Sequence, residues 1–345
     1  MMIANYTKHI LEFKRPSGTS RGVLKTKETW FIILEQNGKR GIGECGILRS
    51  LSVDDVPEYE AKLKWTCEHI HLGLTYLLHE LISFPSIQFG LEQAFLSLKQ
   101  DHPFELFPSK FTNGLDNISI NGLVWMGDEQ FMKAQIKEKL EQGFSCIKMK
   151  IGAIDFETEI KLLQSIRKEY SKADIELRVD ANGAFLPSNA LEKLKILSDL
   201  DLHSIEQPIQ PKQLDVMAEL CQTSPLSIAL DEELIGVFSV TDKEKVLQTI
   251  QPQYIILKPS LVGGFKGSEE WISIAERQNI KYWITSALES NVGLNAISQW
   301  TYMLNSELPQ GLGTGSLYTN NIDSPLEVKN GALYYNNRLN WEFNY

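Results

Sequence analysis

The hydrophobic pattern of the chain changes rhythm near residue 118. Beyond it, short apolar and β-branched runs alternate with stretches whose apolar positions recur every three to four residues. The first pattern predicts buried strands and the second amphipathic helices. ISINGLVWM, FSCIKMK, IELRVD, HSIEQ, LSIALD, YIILK and KYWITS read as strands in that order, and GLGTG as a short eighth. Helices are predicted between them over 128–142, 155–170, from Pro187 onward, 212–222, 241–250, 267–278 and 292–305. Asp128 is placed to cap the first of these and Gly143 to end it. Strands separated by helices in this way predict a parallel α/β barrel. Little helical signal follows GLGTG, so the last barrel helix is expected to be missing or replaced.

The first hundred residues follow another pattern. Residues 5–14 and 28–36 read as strands, and Asn37-Gly38 predicts a tight hairpin turn because both positions tolerate positive φ. Its partner run is GIGEC, residues 41–45. A helical period runs over 54–82, and a second helix over 89–100 stops before Asp101-His102-Pro103. This is an α+β unit, a small antiparallel sheet followed by helices. The tail over 323–345 has strand-like pieces in LEVKNGALYY, with Asn330-Gly331 as a turn, and is expected to pack back on the N-terminal unit. The expected domains are 1–115 with its return 316–345, and a barrel over 116–315. A barrel takes about 250 residues, so 345 residues leave room for both.

Composition narrows the class. There are 34 basic and 44 acidic residues, for a net charge of −10. That balance argues against general binding to nucleic acid or an anionic membrane, while leaving room for a local basic pocket. Four scattered cysteines, none in CxxC spacing, suggest reduced thiols and no zinc site. The first residues carry no continuous apolar stretch of a secretory signal, and no run is long enough to span a membrane. The expected compartment is the cytoplasm and the expected partner a small molecule. The oligomeric state is left open.

Five of the apolar runs end on, or just before, a charge: Lys150, Asp180, Glu206, Asp231 and Lys258, spaced 25 to 30 residues apart. Each gap fits a turn, a helix and a return strand. Parallel barrels keep their chemistry at the carboxyl ends of the strands, so the five charges are expected around one mouth. Side chains alternate along a strand, so Lys148 and Lys150 share a face, as do Arg178 and Asp180. Ile147, Met149, Leu177 and Val179 then face the helices. Three converging carboxylates repel one another, and the hard, oxygen-preferring Mg²⁺ answers that repulsion, with Mn²⁺ as a substitute. The competing reading makes the acids salt-bridged rim residues. A lysine near a divalent cation and a second ammonium is expected to have a lowered pKa and to act as a base. Two such lysines flanking a bound carboxylate suit removal of the proton α to it.

The set Lys148 and Lys150, Asp180 with Asn182, Glu206-Gln207-Pro208, Asp231-Glu232 and Lys258 resembles the muconate-lactonising-enzyme subgroup of the enolase superfamily. Sites of that superfamily pair a lysine or histidine base with Mg²⁺, so this pairing follows from the likeness. The resemblance covers nearly the whole chain and implies an enolase-type (β/α)7β barrel with an N-terminal α+β capping domain. It implies Asp180, Glu206 and Asp231 as metal ligands, with Glu232 as the alternative to Asp231. It implies Lys150 as base and then acid, Lys258 as an ammonium facing a dienolate, and Lys148 and Asn182 against the substrate carboxylate. Ser286 and Glu289 in SALES, and the segment GLGTG, resemble the branch that forms 2-succinylbenzoate for menaquinone biosynthesis. The stretch FKRPSGTSRGVLKTKETW resembles the mobile loop region of that branch. Within it Arg21, Lys14 and Arg15 either meet a second substrate carboxylate or are solvated loop charges. Gly263 either approaches a carboxylate or makes a turn. The rival activities are racemisation of N-acylamino acids, dipeptide epimerisation and sugar-acid dehydration. Dipeptide epimerases carry an Asp-x-Asp where this chain has GLGTG, and the sugar-acid enzymes carry a His–Asp pair where it has Lys258. A non-catalytic scaffold would leave the five charged positions without a reason to be kept together.

Overall fold

The computed structural model describes residues 1–19 and 22–345. Strands Ile3–Thr19, Gly22–Gln36 and Lys39–Gly46 form an antiparallel sheet in chain order. Asn37 and Gly38 both take positive φ, and Gln36 pairs with Lys39 across the predicted turn. All three strands run further than expected. The first hairpin extends through much of the stretch expected as a loop, with its register shifted between Glu12 and Ser17. Helix Pro85–Ser97 lies against the sheet. It begins four residues before the expected start, because Pro85 at its first turn suits the fixed φ of a helix entry. Gly41, Gly43 and Gly90 allow the contact. A β-carbon on Gly43 would stand 1.9 Å from the Gly90 carbonyl oxygen. The helical period over 54–82 resolves into Tyr59–Glu68, a 3-10 turn Ile70–Leu72 and Leu74–Glu80. Gly73, at φ 81°, separates the last two. Trp30, Ile32, Leu34, Leu63, Leu77 and Leu91 form the core of this unit.

The second sheet has seven parallel strands: Gly122–Val124, Cys146–Lys150, Glu176–Asp180, Ser204–Glu206, Ile228–Leu230, Tyr254–Leu257 and Lys281–Ile284. Each lies beside its neighbour in sequence, and helices cover the connections, as parallel crossovers require. Ile147, Met149, Leu177 and Val179 join the large core between strands and helices. The charged residues of the same strands therefore face inward. GLGTG forms no strand. The ring closes instead through isolated bridges, Ile120 with Gln310 and Thr285 with Gly311. Four backbone hydrogen bonds of 2.8–3.0 Å tie Gln310 to Ser119 and Asn121 and Gly311 to Ile284 and Ser286.

ISINGLVWM splits, and its first part, Asn117–Ser119, pairs with the tail. The tail hairpin of Leu326–Lys329 and Ala332–Tyr335 turns at Asn330 and Gly331 as expected. It packs at the amino end of the barrel and not on the N-terminal sheet. The return to that sheet is made by the last residues, where Trp341 stacks on Phe104 and Phe343 and Tyr345 pack on Phe31.

Candidate active site

The strand register sets the polar floor. Lys150 lies beside Asp180, and Asp180 beside Glu206. Lys148 Nζ donates to Glu206 Oε2 at 2.6 Å and stands 3.5 Å from Asp180 Oδ2. Lys150 Nζ donates to Asp180 Oδ2 at 2.8 Å and to Asn182 Oδ1 at 2.7 Å. Lys258 Nζ donates to Asp231 Oδ2 and lies 3.8 Å from Glu206 Oε1. Five of the six charges are buried, and Lys258 is only slightly more exposed. Isolated, each would lose several kcal/mol on leaving water. Alternation of sign makes the cluster tolerable.

Burial works against ionisation of Asp180, but the ammoniums of Lys150, Lys148 and Lys258 hold its carboxyl well below the usual range. Burial and then the Asp180 charge push Glu206 up to about 7, against the pull of Lys148. Burial also raises Asp231. Burial lowers the pKa of Lys258, but Asp231 and Glu206 outweigh burial and raise it.

A cavity of about 350 Å³ opens above this floor. Lys148, Lys150, Asp180, Asn182, Lys258 and Ser286 line it. Strands Cys146–Lys150 and Tyr254–Leu257 are four places apart in the ring, so Lys150 and Lys258 face each other across the mouth. Glu206 and Asp231 lie behind the lysines. Lys14, Arg15 and Ser17 of the first hairpin also line the cavity, as do Leu48 and Leu51 of the loop after the third strand. Arg21 lies outside the described residues. Gly263 does not line the cavity. At φ 98° it makes the turn between two helices, facing Gln88 of the N-terminal unit. Glu289 sits behind Ser286 and accepts from Ser260 and Ser286, both at 2.6 Å. Glu232 accepts from Asn182 Nδ2 at 3.0 Å, while Glu233 turns away to Lys212 N and Gln207.

Sequence reasoning missed the apolar walls. Trp125, Phe131, Leu288 and Leu317 line the cavity beside Leu48 and Leu51, and nothing in the sequence distinguishes them from core. Gln207 was noted only as part of a motif. Its backbone is held at φ 39°, and its side-chain Oε1 accepts from the backbone N–H groups of Asp231 and Glu233 and so fixes the loop that carries Asp231.

Three buried, oxygen-only carboxylates on consecutive strands are a donor set for a hard divalent cation. Glu206 Oε1 has no hydrogen-bond partner, with Lys258 Nζ beyond hydrogen-bond reach at 3.8 Å, so this oxygen keeps its lone pairs for a cation. In the present arrangement the lysines stand between the carboxylates. Among the described residues, no three acidic, cysteine or histidine side chains converge on one point. The donor chemistry fits a cation, and convergence requires the ammoniums to give way.

Residues 131–338 match the family described as enolase C-terminal domain-like. The chain is 45% identical to o-succinylbenzoate synthase of Desulfotalea psychrophila, over 96% of this chain and 98% of that protein. The crystal structure of MenC from the same organism superposes with a TM-score of 0.86 at 42% identity, covering 96% of this chain and 99% of that one. L-Ala-D/L-Glu epimerase of Bacillus subtilis is 28% identical over 54% of this chain and 50% of its own length. Membership of this superfamily implies a divalent metal. Likeness over nearly the full length, together with the lysine–carboxylate floor, places the chain in the enolase superfamily and, within it, in the o-succinylbenzoate synthase family.

Proposed function

We propose that the chain catalyses the Mg²⁺-dependent syn dehydration of 2-succinyl-6-hydroxy-2,4-cyclohexadiene-1-carboxylate to 2-succinylbenzoate, a step of menaquinone biosynthesis. The observation that carries this reading is the pair of lysines facing each other across a cavity whose floor holds three buried carboxylates. Lys150, in its neutral form, takes the proton α to the ring carboxylate. The electron pair passes into a dienolate, and the ring C–O bond breaks. Lys150 then returns its proton to the departing hydroxide, so that water leaves and the ring becomes aromatic. Lys258 keeps its proton and faces the anionic ring as a cation, a role that suits a lysine whose pKa is raised. Lys148 and Asn182 orient the ring carboxylate. Lys14, Arg15 and Arg21 serve the succinyl carboxylate. Asp180, Glu206 and Asp231 would hold Mg²⁺, with Mn²⁺ as a substitute, which when bound neutralises negative charge developing on the substrate carboxylate.

Four free cysteines, three of them buried, support work in the reducing cytoplasm. Among the described residues no helix is long and apolar enough to cross a membrane.

The deciding experiment incubates purified protein and Mg²⁺ with the cyclohexadiene carboxylate and follows the ultraviolet absorbance of the aromatic product. Turnover is expected. No absorbance change, together with racemisation of N-succinylamino acids, would transfer the reading to the racemase. The cavity wall already counts against a dipeptide epimerase, since Gly311, Gly313 and Thr314 line it and offer no acid to a substrate amine. Mg²⁺ titration by calorimetry separates an enzyme from a scaffold. Binding is expected in the wild type and lost in Asp180→Asn.

A further inference from the structure

Leu288 is a bulky residue in the left-handed region, at φ 62°. That conformation costs an L-residue roughly 1–2 kcal/mol, and it persists only where the surroundings impose it. Leu288 is also one of the apolar walls of the cavity. Its carbonyl accepts from the Tyr318 hydroxyl at 2.6 Å. The residues that follow are held from the other domain. Glu44, on the third strand of the N-terminal sheet, is fully buried at the start of helix Asn291–Leu304. Its Oε1 accepts from Ser290 N at 2.8 Å and from Thr29 Oγ1 at 2.8 Å. Its Oε2 accepts from the Ser290 hydroxyl and from Gly293 N at 2.7 Å. A helix start leaves its first N–H groups unpaired and carries partial positive charge, so a carboxylate is the fitting partner.

We infer that Glu44 is a positioning residue: from the N-terminal domain it anchors the segment Ser286–Ser290 and so holds Leu288 against the substrate. The inference rests on the proposed dehydration for its kinetic readout. Glu92 supplies a built-in control. It reaches from helix Pro85–Ser97 to the start of helix Gly264–Arg277, where it accepts from Phe265 N at 2.5 Å and Lys266 N at 3.0 Å. The contact is of the same kind, but the residues it anchors do not line the cavity. A merely structural staple would behave alike at both places.

The test compares Glu44→Gln with Glu92→Gln. A glutamine at 44 keeps the size of the side chain but leaves one N–H of the helix start without an acceptor. Glu44→Gln is expected to raise KM for the cyclohexadiene carboxylate about tenfold, with kcat within about twofold. Glu92→Gln is expected to leave both unchanged. Amide hydrogen exchange over 286–290 should speed up in Glu44→Gln and stay as in wild type in Glu92→Gln. If Glu44→Gln does not fold, Thr29→Val, which removes one donor to the same carboxylate, should show the same signs more weakly. An unmoved KM in a wild-type-like fold overturns the inference. So does an equal KM rise in Glu92→Gln, or unchanged exchange over 286–290. Absence of turnover in the wild type would instead sink the proposed reaction, and the exchange measurement still decides the role of Glu44.

Discussion

Lys148 and Lys150 sit two residues apart on one strand and share a face, yet they meet different acids. Lys148 leans toward Glu206, while Lys150 reaches Asp180 and Asn182. Only Lys150 of the two has an amide oxygen among its acceptors, and it is the proposed base. Lys150→Ala is therefore expected to lower kcat by three orders of magnitude or more, in line with the roughly 10²–10⁴ that a positioned base contributes. Mg²⁺ affinity by calorimetry should remain near that of the wild type. Turnover retained in that variant would remove Lys150 from the mechanism. The five charges at the strand ends were legible because each terminates an apolar run and a βα unit has a characteristic length. Which lysine pairs with which acid was not legible. That depends on cross-strand register and on side-chain reach, and neither is written in spacing. The contacts with Asp231 and Glu206 that raise the pKa of Lys258 depend on the same register. Of the two readings of Gly263 the structure has the turn; a glycine pair after a strand signals a turn without telling which way it faces.

The elements that were legible are those with a strong period and a chemical stop. Helix Glu129–Glu141 begins where Asp128 accepts from Phe131 N at 2.8 Å, and Gly143 follows it at φ 76°. The helical period over 54–82 was overread because a broken helix keeps its apolar rhythm across the break. GLGTG was overread as a strand because closing the ring takes only two residues. The motif GIGEC reads in the sequence only as the hairpin's partner run, and the structure gives its glycines a further purpose. They admit the backbone of helix Pro85–Ser97, and they bring Glu44 to the domain boundary. Gly43→Ala is expected to destabilise the protein by on the order of 3 kcal/mol, since the added carbon overlaps the Gly90 carbonyl oxygen and a backbone must shift. Urea unfolding would show it. A loss below about 0.5 kcal/mol would mean that sheet and helix separate easily.

At the scale of the whole molecule, the two domains are joined by buried acids, and this gives stability a pH dependence. Burial pushes Glu92 up to about 7 from 4.5, although the N–H groups of Lys266 and Phe265 pull it down. The folded protein therefore holds this proton more tightly than the unfolded chain does. The resulting stabilisation is complete below about pH 4.5 and is lost as pH rises through 7, on the order of 3 kcal/mol in all. Burial likewise raises Glu159 to about 7, with the same sign. The Tm of Glu92→Gln should fall less steeply between pH 5 and 7.5 than that of the wild type. Parallel curves would show that Glu92 titrates normally. The two-domain plan was legible from the change of rhythm near residue 118, but the cavity between the domains was not, because its walls are ordinary leucines and aromatics. The stitch at Gln310 and Gly311 also governs how the molecule is made. The ring stays open until residue 310 of 345 has left the ribosome, and Asn117–Ser119 waits longer still for Ala332–Tyr335. Through most of synthesis the sheet edge at Ser119–Asn121 lacks its partner, so the nascent chain carries an exposed β edge of the kind that draws chaperones or aggregates.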